Sequence, residues 1–210
     1  AELAIASARA AFESGVWSGM APSDRKMIMV RWAELIEQHQ DELALLECLD
    51  VGKPIDNTLN IDVGAAVRTI RWSGEAIDKV YDEIPPTPAS SLALVQRLPL
   101  GVVAAIVPWN FPLSTTAWKL GPSLATGNSV VLKPASNTPL SAIRIAGLAA
   151  EAGLPDGVFN VVHGDKLAVD VLLDDPRVQA ISFVGSTPIA EYIYSRGSAA
   201  GKRVQALGGA

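Results

Sequence analysis

The stretch that most constrains the fold of this chain is an unbroken apolar run over residues 102–107, VVAAIV, in which four residues are β-branched. A run of this kind is typical of a strand that is buried on both faces of a parallel sheet. Pro108 ends the run, and the tight turn PWNFP follows. Asn110 therefore lies at the predicted carboxyl end of the strand, which is the edge where open α/β sheets bind ligands.

A second predicted strand, residues 130–132, ends in a similar way, because Lys133 and a proline follow it. A helix is predicted between the two strands over residues 115–126, with an interruption at Gly121 and Pro122. A single Asn or Lys after a strand is usually a turn residue or a solvated charge. Two such residues at one edge of a sheet together favour a functional site.

From residue 101 onward, apolar runs alternate with segments of helical periodicity, which indicates repeated β-α units and a parallel sheet. Further strands are predicted over residues 158–162, 178–184 and 204–207, and further helices over residues 138–153 and 166–173. Thr138 is predicted to be an N-cap, with Pro139 in the first helical position. The predicted fold class is α/β, with N-terminal helices followed by a doubly wound parallel sheet.

The first part of the chain is predicted to be helical. Helices are predicted over residues 1–12, from Ser23 as N-cap to a stop at Gly52, and over residues 57–80. Three prolines within residues 84–88 then indicate a linker, and residues 91–98 an extended edge segment. The predicted organisation is a helical segment that packs on the sheet, an extended segment and a β-α domain, at residues 1–83, 84–100 and 101–210.

The turn after the fourth predicted strand is a candidate phosphate site. Gly185 and Ser186 close the strand, Thr187 is placed to cap the next helix, and Pro188 suits its first turn. A helix N-terminus presents free N–H groups and the positive end of a dipole to an anion. An ordinary capped helix explains the same residues. No GxGxxG motif is present, which argues against a standard Rossmann dehydrogenase.

Composition excludes several classes of protein. The net charge is −5 and the basic residues form no stripe, which argues against nucleic-acid binding. No apolar run approaches the roughly 18 residues of a transmembrane helix, and no signal peptide is recognisable, so a cytoplasmic protein without a membrane partner is predicted. One cysteine allows no internal disulfide, and His39 and His163 lack neighbouring ligands, so no metal site is predicted.

Three motifs, PWNFP, GNSVVLKPAS and FVGSTPIA, resemble the aldehyde dehydrogenase superfamily. They occur in the family order, and the resemblance covers essentially the whole chain. It implies oxidation of a small-molecule aldehyde with NAD or NADP, a cofactor domain that lacks the GxGxxG triplet, and a homo-oligomer whose arm includes part of residues 84–100. The family's catalytic domain and nucleophilic cysteine follow the last motif, so that domain is expected to be a missing partner of this chain.

The resemblance also implies roles for individual residues. Asn110 would stabilise the oxyanion that forms when a thiolate attacks the aldehyde, Lys133 would contact the cofactor ribose, and Gly185 and Ser186 would contact the pyrophosphate. The other cofactor contacts that it implies are Val107, Pro108, Trp109, Ser136, Gly164 and Phe183. Cys48 lies near the end of a leucine-rich helix and is predicted to be a buried, inert thiol rather than the nucleophile.

Two positions depart from the common family pattern. Ser136 replaces a Glu that many NAD-preferring members carry, so both NAD and NADP stay open as cofactors. Ala206 replaces the Glu that acts as base for hydrolysis, so coenzyme A is a candidate co-substrate that would accept the acyl group in place of water. The sequence up to about residue 160 resembles the γ-glutamyl-aminobutyraldehyde type, and the remainder the methylmalonate-semialdehyde type. The chain is therefore either intermediate between the two subfamilies or a composite of them, and both alternatives stay open.

The leading hypothesis is an NAD(P)-dependent aldehyde dehydrogenase, represented by its cofactor-binding part and inactive without the nucleophile. The alternative is a non-catalytic nucleotide-binding fragment or pseudo-enzyme that binds only a cofactor or a partner subunit. The identity of the aldehyde, the choice between NAD and NADP and the route of acyl release stay open.

Overall fold

The computed structural model describes residues 1–210 and contains one parallel sheet of five strands in the order β3-β2-β1-β4-β5. The strands are β1 (Val102–Ile106), β2 (Ser129–Lys133), β3 (Phe159–Val161), β4 (Val178–Val184) and β5 (Arg203–Leu207). The helices are α1 (Glu2–Glu13), α2 (Pro22–Gln38), α3 (Gln40–Val51), α4 (Ile55–Asn57), α5 (Gly64–Ala76), α6 (Pro112–Ala125), α7 (Leu140–Glu151), α8 (Lys166–Asp174) and α9 (Thr187–Ala199). A π-helical turn (Thr58–Val63) joins α4 to α5, and a 3₁₀ turn (Ile77–Lys79) follows α5.

β1 is the central strand of the sheet. β2 and β3 follow on one side of it, and β4 and β5 on the other. Every residue of β1 and β2 is buried, which explains why their sequences are almost wholly apolar. The order in which successive strands are added to the sheet reverses between β1 and β4, where Ile106 is paired with Phe183. A crevice at the carboxyl ends of the strands is expected at this switch point.

The two faces of the sheet carry separate hydrophobic cores. On one face α6 and α7 pack against the sheet and are covered in turn by α2, α3 and α5. On the other face α8 and α9 are joined by α1, whose Ile5 and Ala8 are fully buried. The predicted α/β fold with a doubly wound parallel sheet is therefore confirmed.

Two buried tryptophans attach the N-terminal helices to the helices of the sheet. Trp17 donates its Nε1–H to the carbonyl of Leu124 (2.9 Å), and Trp32 donates to the carbonyl of Ile145 (3.0 Å). Each indole thus satisfies its only donor while a large apolar ring is removed from water. Residues before and after position 83 share one core, and the domain boundary at that position stays a prediction.

Some helix boundaries in the first half differ from those predicted. The helix predicted from Ser23 to Gly52 is two helices, α2 and α3, which meet at His39 with φ −102° and ψ 24°. No Gly or Pro marks this break. α2 begins at Pro22 after Ala21, so Ser23 is not its N-cap. The helix predicted over residues 57–80 is confirmed in extent, but its first part is π-helical.

The helix predicted over residues 115–126 was placed wrongly at its start and interior. α6 begins at Pro112 and continues through Pro122 without interruption. Gly121 does not break the helix but allows α5 to approach, since a Cβ there would lie 2.5 Å from Ser73 Oγ. Thr138 is not an N-cap, because α7 begins only after Pro139 and the Thr138 side chain is buried.

Residues 80–101 contain neither helix nor strand. A single antiparallel bridge between Glu83 and Val95, with hydrogen bonds of 3.0 and 2.8 Å, folds this segment back on itself. Its large apolar side chains are exposed at Val80, Tyr81, Ile84, Leu92, Leu94, Val95, Leu98 and Leu100. We call residues 80–100 the arm. In the whole structure, no helix combines the length and apolar character needed to cross a bilayer.

Candidate functional site

A cavity of about 610 Å³ opens at the carboxyl edge of the sheet, at the switch point between β1 and β4. Its walls come from the residues that follow β1, β2 and β4 and from the first turns of α8 and α9. Eight of the predicted site residues line it: Val107, Pro108, Trp109, Lys133, Ser136, Phe183, Gly185 and Ser186. The parallel sheet brings these residues together because the carboxyl ends of its strands share one edge.

Lys133 and Ser136 are held beside the cavity by a shared backbone acceptor. Lys133 Nζ donates to the carbonyls of Pro134 (2.8 Å) and Gly164 (3.2 Å), and Ser136 Oγ donates to the same Gly164 carbonyl (3.1 Å). Burial lowers the pKa of Lys133, and the Asp165 carboxylate opposes this effect. The ammonium group of Lys133 is thus held in a fixed orientation in a part of the cavity wall that is largely shielded from water.

Gly164 does not line the cavity but supports the residues that do. Its φ of +146° is a conformation that side-chain-bearing residues rarely adopt, and a Cβ would lie 2.7 Å from the Cβ of Ala168. Glycine is therefore required for the chain to pass α8 closely enough to offer its carbonyl to Lys133.

The turn after β4 brings backbone close to the cavity. A Cβ on Gly185 would lie 2.4 Å from Cζ of Phe183. Glycine at this position therefore leaves room for the Phe183 ring. Ser186 is the N-cap of α9, has φ −70° and ψ 151°, and makes no side-chain cap hydrogen bond. Thr187, predicted to be the cap, is instead the first helical residue. The start of α9 therefore offers N–H groups and a positive dipole end at the cavity wall.

Asn110 lies in the turn between β1 and α6. It is not among the residues that line the cavity, although its neighbour Trp109 is. Its side chain is half-buried, and the structure shows no hydrogen bond from its amide to another residue of the chain. The amide N–H groups are thus free to donate to a group bound next to the cavity.

Cys48 is half-buried rather than buried as predicted. Its thiol donates to the carbonyl of Lys53 (2.9 Å), and it is not among the residues of the cavity. No group of three or more His, Cys, Asp and Glu side chains is arranged to hold a metal ion.

Sequence reasoning missed Lys119, which lies within α6 and is buried. Its Nζ donates to Oε1 of Gln205 (3.0 Å) on β5, and Gln205 also accepts from Ser182 (2.8 Å). Burial lowers the pKa of Lys119 to about 8. Only the position of α6 against the sheet reveals this, since a lysine in a helical segment ordinarily indicates a solvated face.

Sequence reasoning also missed a polar network on the rim of the cavity. Lys166 donates to Asp170 (2.6 Å) and to the hydroxyl of Tyr192 (2.8 Å), and Tyr192 donates to Asp170 (2.7 Å). The network joins α8 to α9, the two helices that form one wall. It stabilises the rim through side chains that a sequence pattern would assign to solvent.

The sequence profile of the aldehyde dehydrogenase family matches residues 1–210. The chain belongs to the aldehyde dehydrogenase family. Over 185 residues it is 56% identical to the NADP/NAD-dependent aldehyde dehydrogenase PuuC of Escherichia coli (strain K12), covering 88% of this chain and 37% of the relative. Over 208 residues it is 43% identical to a malonate-semialdehyde dehydrogenase of Pseudomonas aeruginosa, covering 99% of this chain and 41% of the relative.

Among solved structures, the chain is similar to the P. syringae indole-3-acetaldehyde dehydrogenase AldA, which was solved in complex with NAD+ and IAA. The two share 54% identity and superpose with a TM-score of 0.93, over 96% of this aldehyde dehydrogenase chain and 41% of the other. The chain thus spans about two fifths of the length of the relatives that it matches. The superfamily resemblance is confirmed, and the roles of single residues stay predictions.

Proposed function

We propose that this chain is the cofactor-binding part of an enzyme that oxidises an aldehyde with NAD or NADP. The observation that carries the proposal is the convergence of eight predicted contact residues on one cavity at the switch point of the sheet. Relatives of the same family support it, because AldA was solved with NAD+ and PuuC is described as NADP/NAD-dependent. Without the site, family membership alone would leave the cofactor open.

The residues present fit a dinucleotide. The buried ammonium of Lys133 and the hydroxyl of Ser136 would hold the ribose hydroxyls, and the backbone at Gly185 and Ser186 would hold the pyrophosphate at the start of α9. A cavity of about 610 Å³ is large enough for the adenosine half of such a cofactor. When bound, the nicotinamide supplies the acceptor for the hydride of the aldehyde carbon.

Asn110 would donate its amide N–H to the oxyanion that forms when a thiolate attacks the aldehyde carbonyl. Cys48 is not proposed as that thiolate, because its thiol donates a hydrogen bond to the Lys53 carbonyl and lies outside the cavity. We propose that the nucleophile is a cysteine outside residues 1–210. The complete coding sequence tests this directly, since a protein without any further cysteine would favour the alternative of a non-catalytic nucleotide-binding protein.

The decisive experiment measures aldehyde-dependent NADH formation by the full-length protein and its Asn110→Ala variant. Removal of one oxyanion donor should lower kcat by roughly two to three powers of ten, with little change in the Kd for NAD. Gln38→Ala, which removes an exposed amide at the end of α2, is the control. Loss of NAD binding with an intact chemical step would show that Asn110 is only a structural turn residue.

Coenzyme A is proposed as the acyl acceptor on a separate observation. Ala206 is paired with Phe183 at the edge of the sheet and has no atom that could take a proton from water. Coenzyme A should therefore accelerate turnover of the full-length enzyme, and Ala206→Glu should shift the product from thioester to free acid. If the acyl-enzyme is hydrolysed rapidly and added coenzyme A does not change its rate, this route is refuted, while the proposed oxidation is not affected.

A further inference from the structure

Three ionisable side chains, Glu47, Lys53 and Asp62, are gathered behind the turn that carries Asn110. None of them lines the cavity, and no step of the proposed reaction uses them. Glu47 and Asp62 are buried at 0% and 1% exposure, although such residues are almost never buried without a partner. Their burial calls for a physical explanation.

Lys53 is the partner of Asp62 and contacts the turn directly. Its Nζ lies 2.8 Å from Oδ2 of Asp62 and 3.5 Å from the centroid of the Phe111 ring. Asp62 is held in turn by the π-helical turn, and π-helical turns are frequent at functional sites. A cation above an aromatic face is attracted to it. Phe111, the residue after Asn110, is 43% exposed, and its ring is held against the partly buried ion pair.

The start of α6 is fixed by the same cluster. Oε1 of Glu47 accepts the backbone N–H of Leu113 (3.2 Å), which is one of the donors that have no partner within a helix. Ser114 Oγ donates to the backbone carbonyl of Asp62 (3.2 Å). On the other side of the turn, the Val107 N–H donates to the Lys133 carbonyl (3.2 Å). The backbone is thus anchored both before and after Asn110.

Because no hydrogen bond within the chain orients the Asn110 amide, the backbone of its turn limits which side-chain rotamers are allowed and therefore where the amide can point. A donor stabilises an oxyanion effectively when it is already oriented before the reaction, and an error of about 1 Å can cost about 100-fold in rate. We propose that Lys53 is a positioning residue for Asn110, because its ion pair with Asp62 and its contact with the Phe111 ring hold the turn in the donating orientation. This inference rests on the proposed function of Asn110.

The test uses the full-length protein and steady-state oxidation of an aldehyde with NAD. Lys53→Met should lower kcat about 10-fold or more and leave the Kd for NAD unchanged within about twofold, because the cavity residues are not touched. Lys53→Arg, which keeps a cation for both Asp62 and the ring, should restore most of the rate. Lys26→Met is the control for loss of a lysine ion pair, since Lys26 forms an exposed ion pair of similar length with Asp78 (2.7 Å) elsewhere in the molecule.

A double-mutant cycle separates positioning from general destabilisation. In the Asn110→Ala background, Lys53→Met should produce no further loss of kcat, because the group that it positions is gone. Additive losses would overturn the inference. Phe111→Leu removes the ring but keeps the ion pair, and it should reproduce the loss if Lys53→Met fails to fold.

Hydrogen exchange gives a readout that does not depend on activity. The N–H groups of Leu113 and Thr115, which donate to Glu47 Oε1 and to the Phe111 carbonyl, should exchange about 10-fold faster in Lys53→Met than in the unmodified protein or in Lys26→Met. Unchanged exchange of these groups would refute the inference. If the unmodified protein does not oxidise aldehydes at all, the proposed function fails while the exchange experiment still decides whether Lys53 holds the turn.

Discussion

Glu47 shows at the scale of a single residue how a fold changes the chemistry of a side chain. Its Oε1 accepts from Leu113, but Oε2 has no partner, and the residue has no contact with water. Burial raises its pKa from 4.5 to about 7, and the Leu113 N–H opposes this effect. The folded state therefore favours the protonated form of this carboxyl group far more than an exposed glutamate would, which its sequence context does not indicate.

The raised pKa predicts that stability depends on pH. Because the folded state holds the Glu47 proton more tightly than the unfolded state, the stabilisation is complete below pH 4.5 and is lost as pH rises through 7. Glu47→Gln keeps the acceptor for Leu113 but cannot ionise. The free energy of unfolding of the unmodified chain should therefore fall by up to about 3 kcal/mol relative to Glu47→Gln between pH 5 and pH 8.

Urea unfolding of both proteins at several pH values measures this difference. Glu151→Gln, at an exposed residue without a hydrogen-bond partner, is the control. Parallel stability curves for Glu47→Gln and the unmodified chain would show that the group is ionised in the folded state.

A second single residue, Ser136, is expected to influence whether NAD or NADP binds more tightly. Its hydroxyl is neutral and bonded to the Gly164 carbonyl, so no carboxylate there repels a 2′-phosphate. Ser136→Glu should weaken NADP binding about 10-fold or more relative to NAD, because a carboxylate pairs with ribose hydroxyls and repels phosphate. Titration of both cofactors checks this against Asn137→Glu, which adds the same charge one residue away. An unchanged ratio would show that Lys133 alone sets the preference.

At the scale of elements, contacts between helices explain residues that look like helix breakers. Gly121 and Pro122 lie among the last five residues of α6, and α6 nevertheless continues to Ala125. α5 packs so closely on α6 that a Cβ on Gly121 would lie 2.5 Å from Ser73 Oγ and 3.2 Å from Ser73 Cβ. Burial of apolar residues at this contact compensates the poor helix propensity of the two residues.

Two glycine substitutions test this explanation. Gly121→Ala should destabilise the chain by about 1–3 kcal/mol, because α5 must move or Ser73 must change rotamer. Gly147→Ala, in the exposed face of α7 with no atom closer than 3.9 Å, should stabilise it by about 0.5–1 kcal/mol through helix propensity. Denaturant unfolding measures both. Equal effects at the two positions would show that propensity, not packing, explains Gly121.

At the scale of the whole molecule, the arm leaves most of its large apolar side chains exposed to solvent. Ile84, Leu92, Leu94 and Leu98 are each at least 60% exposed. Within the arm, backbone groups pair with each other at the Glu83–Val95 bridge and in the turn from Pro88 to Ser91, so most of its backbone is open to another chain. An exposed apolar segment with free backbone donors and acceptors is typical of a surface that associates.

The arm therefore predicts self-association of the protein. The average mass measured by sedimentation equilibrium should rise with concentration, and Leu92→Ser combined with Leu98→Ser should reduce it. Leu3→Ser, which removes an 88% exposed leucine on α1, is the control for a general loss of surface hydrophobicity. A monomer at all concentrations would rule out the arm as an interface.

The strands and the edge of the sheet that carries the cavity could be predicted because their causes are local. A buried parallel strand is typically an apolar run, and a proline after such a run marks its end, so β1, β2 and the positions of Lys133 and Asn110 are visible in the sequence. The break at His39 could not be predicted, because no local breaker produces it. The π-helical turn and the uninterrupted α6 likewise depend on which helices lie alongside.

The sequence by itself determined the family, the order of strands and helices from residue 101 and the edge where side chains converge, since each follows from short motifs and periodicity. Only the tertiary structure decided the switch point between β1 and β4, the lowered pKa of Lys119 and the contacts that Glu47, Lys53 and Asp62 make with Phe111, Leu113 and Ser114. Those partners are separated by about 50 residues or more along the chain. Burial and charge pairing at such separations arise only when distant elements pack, and no local pattern records them.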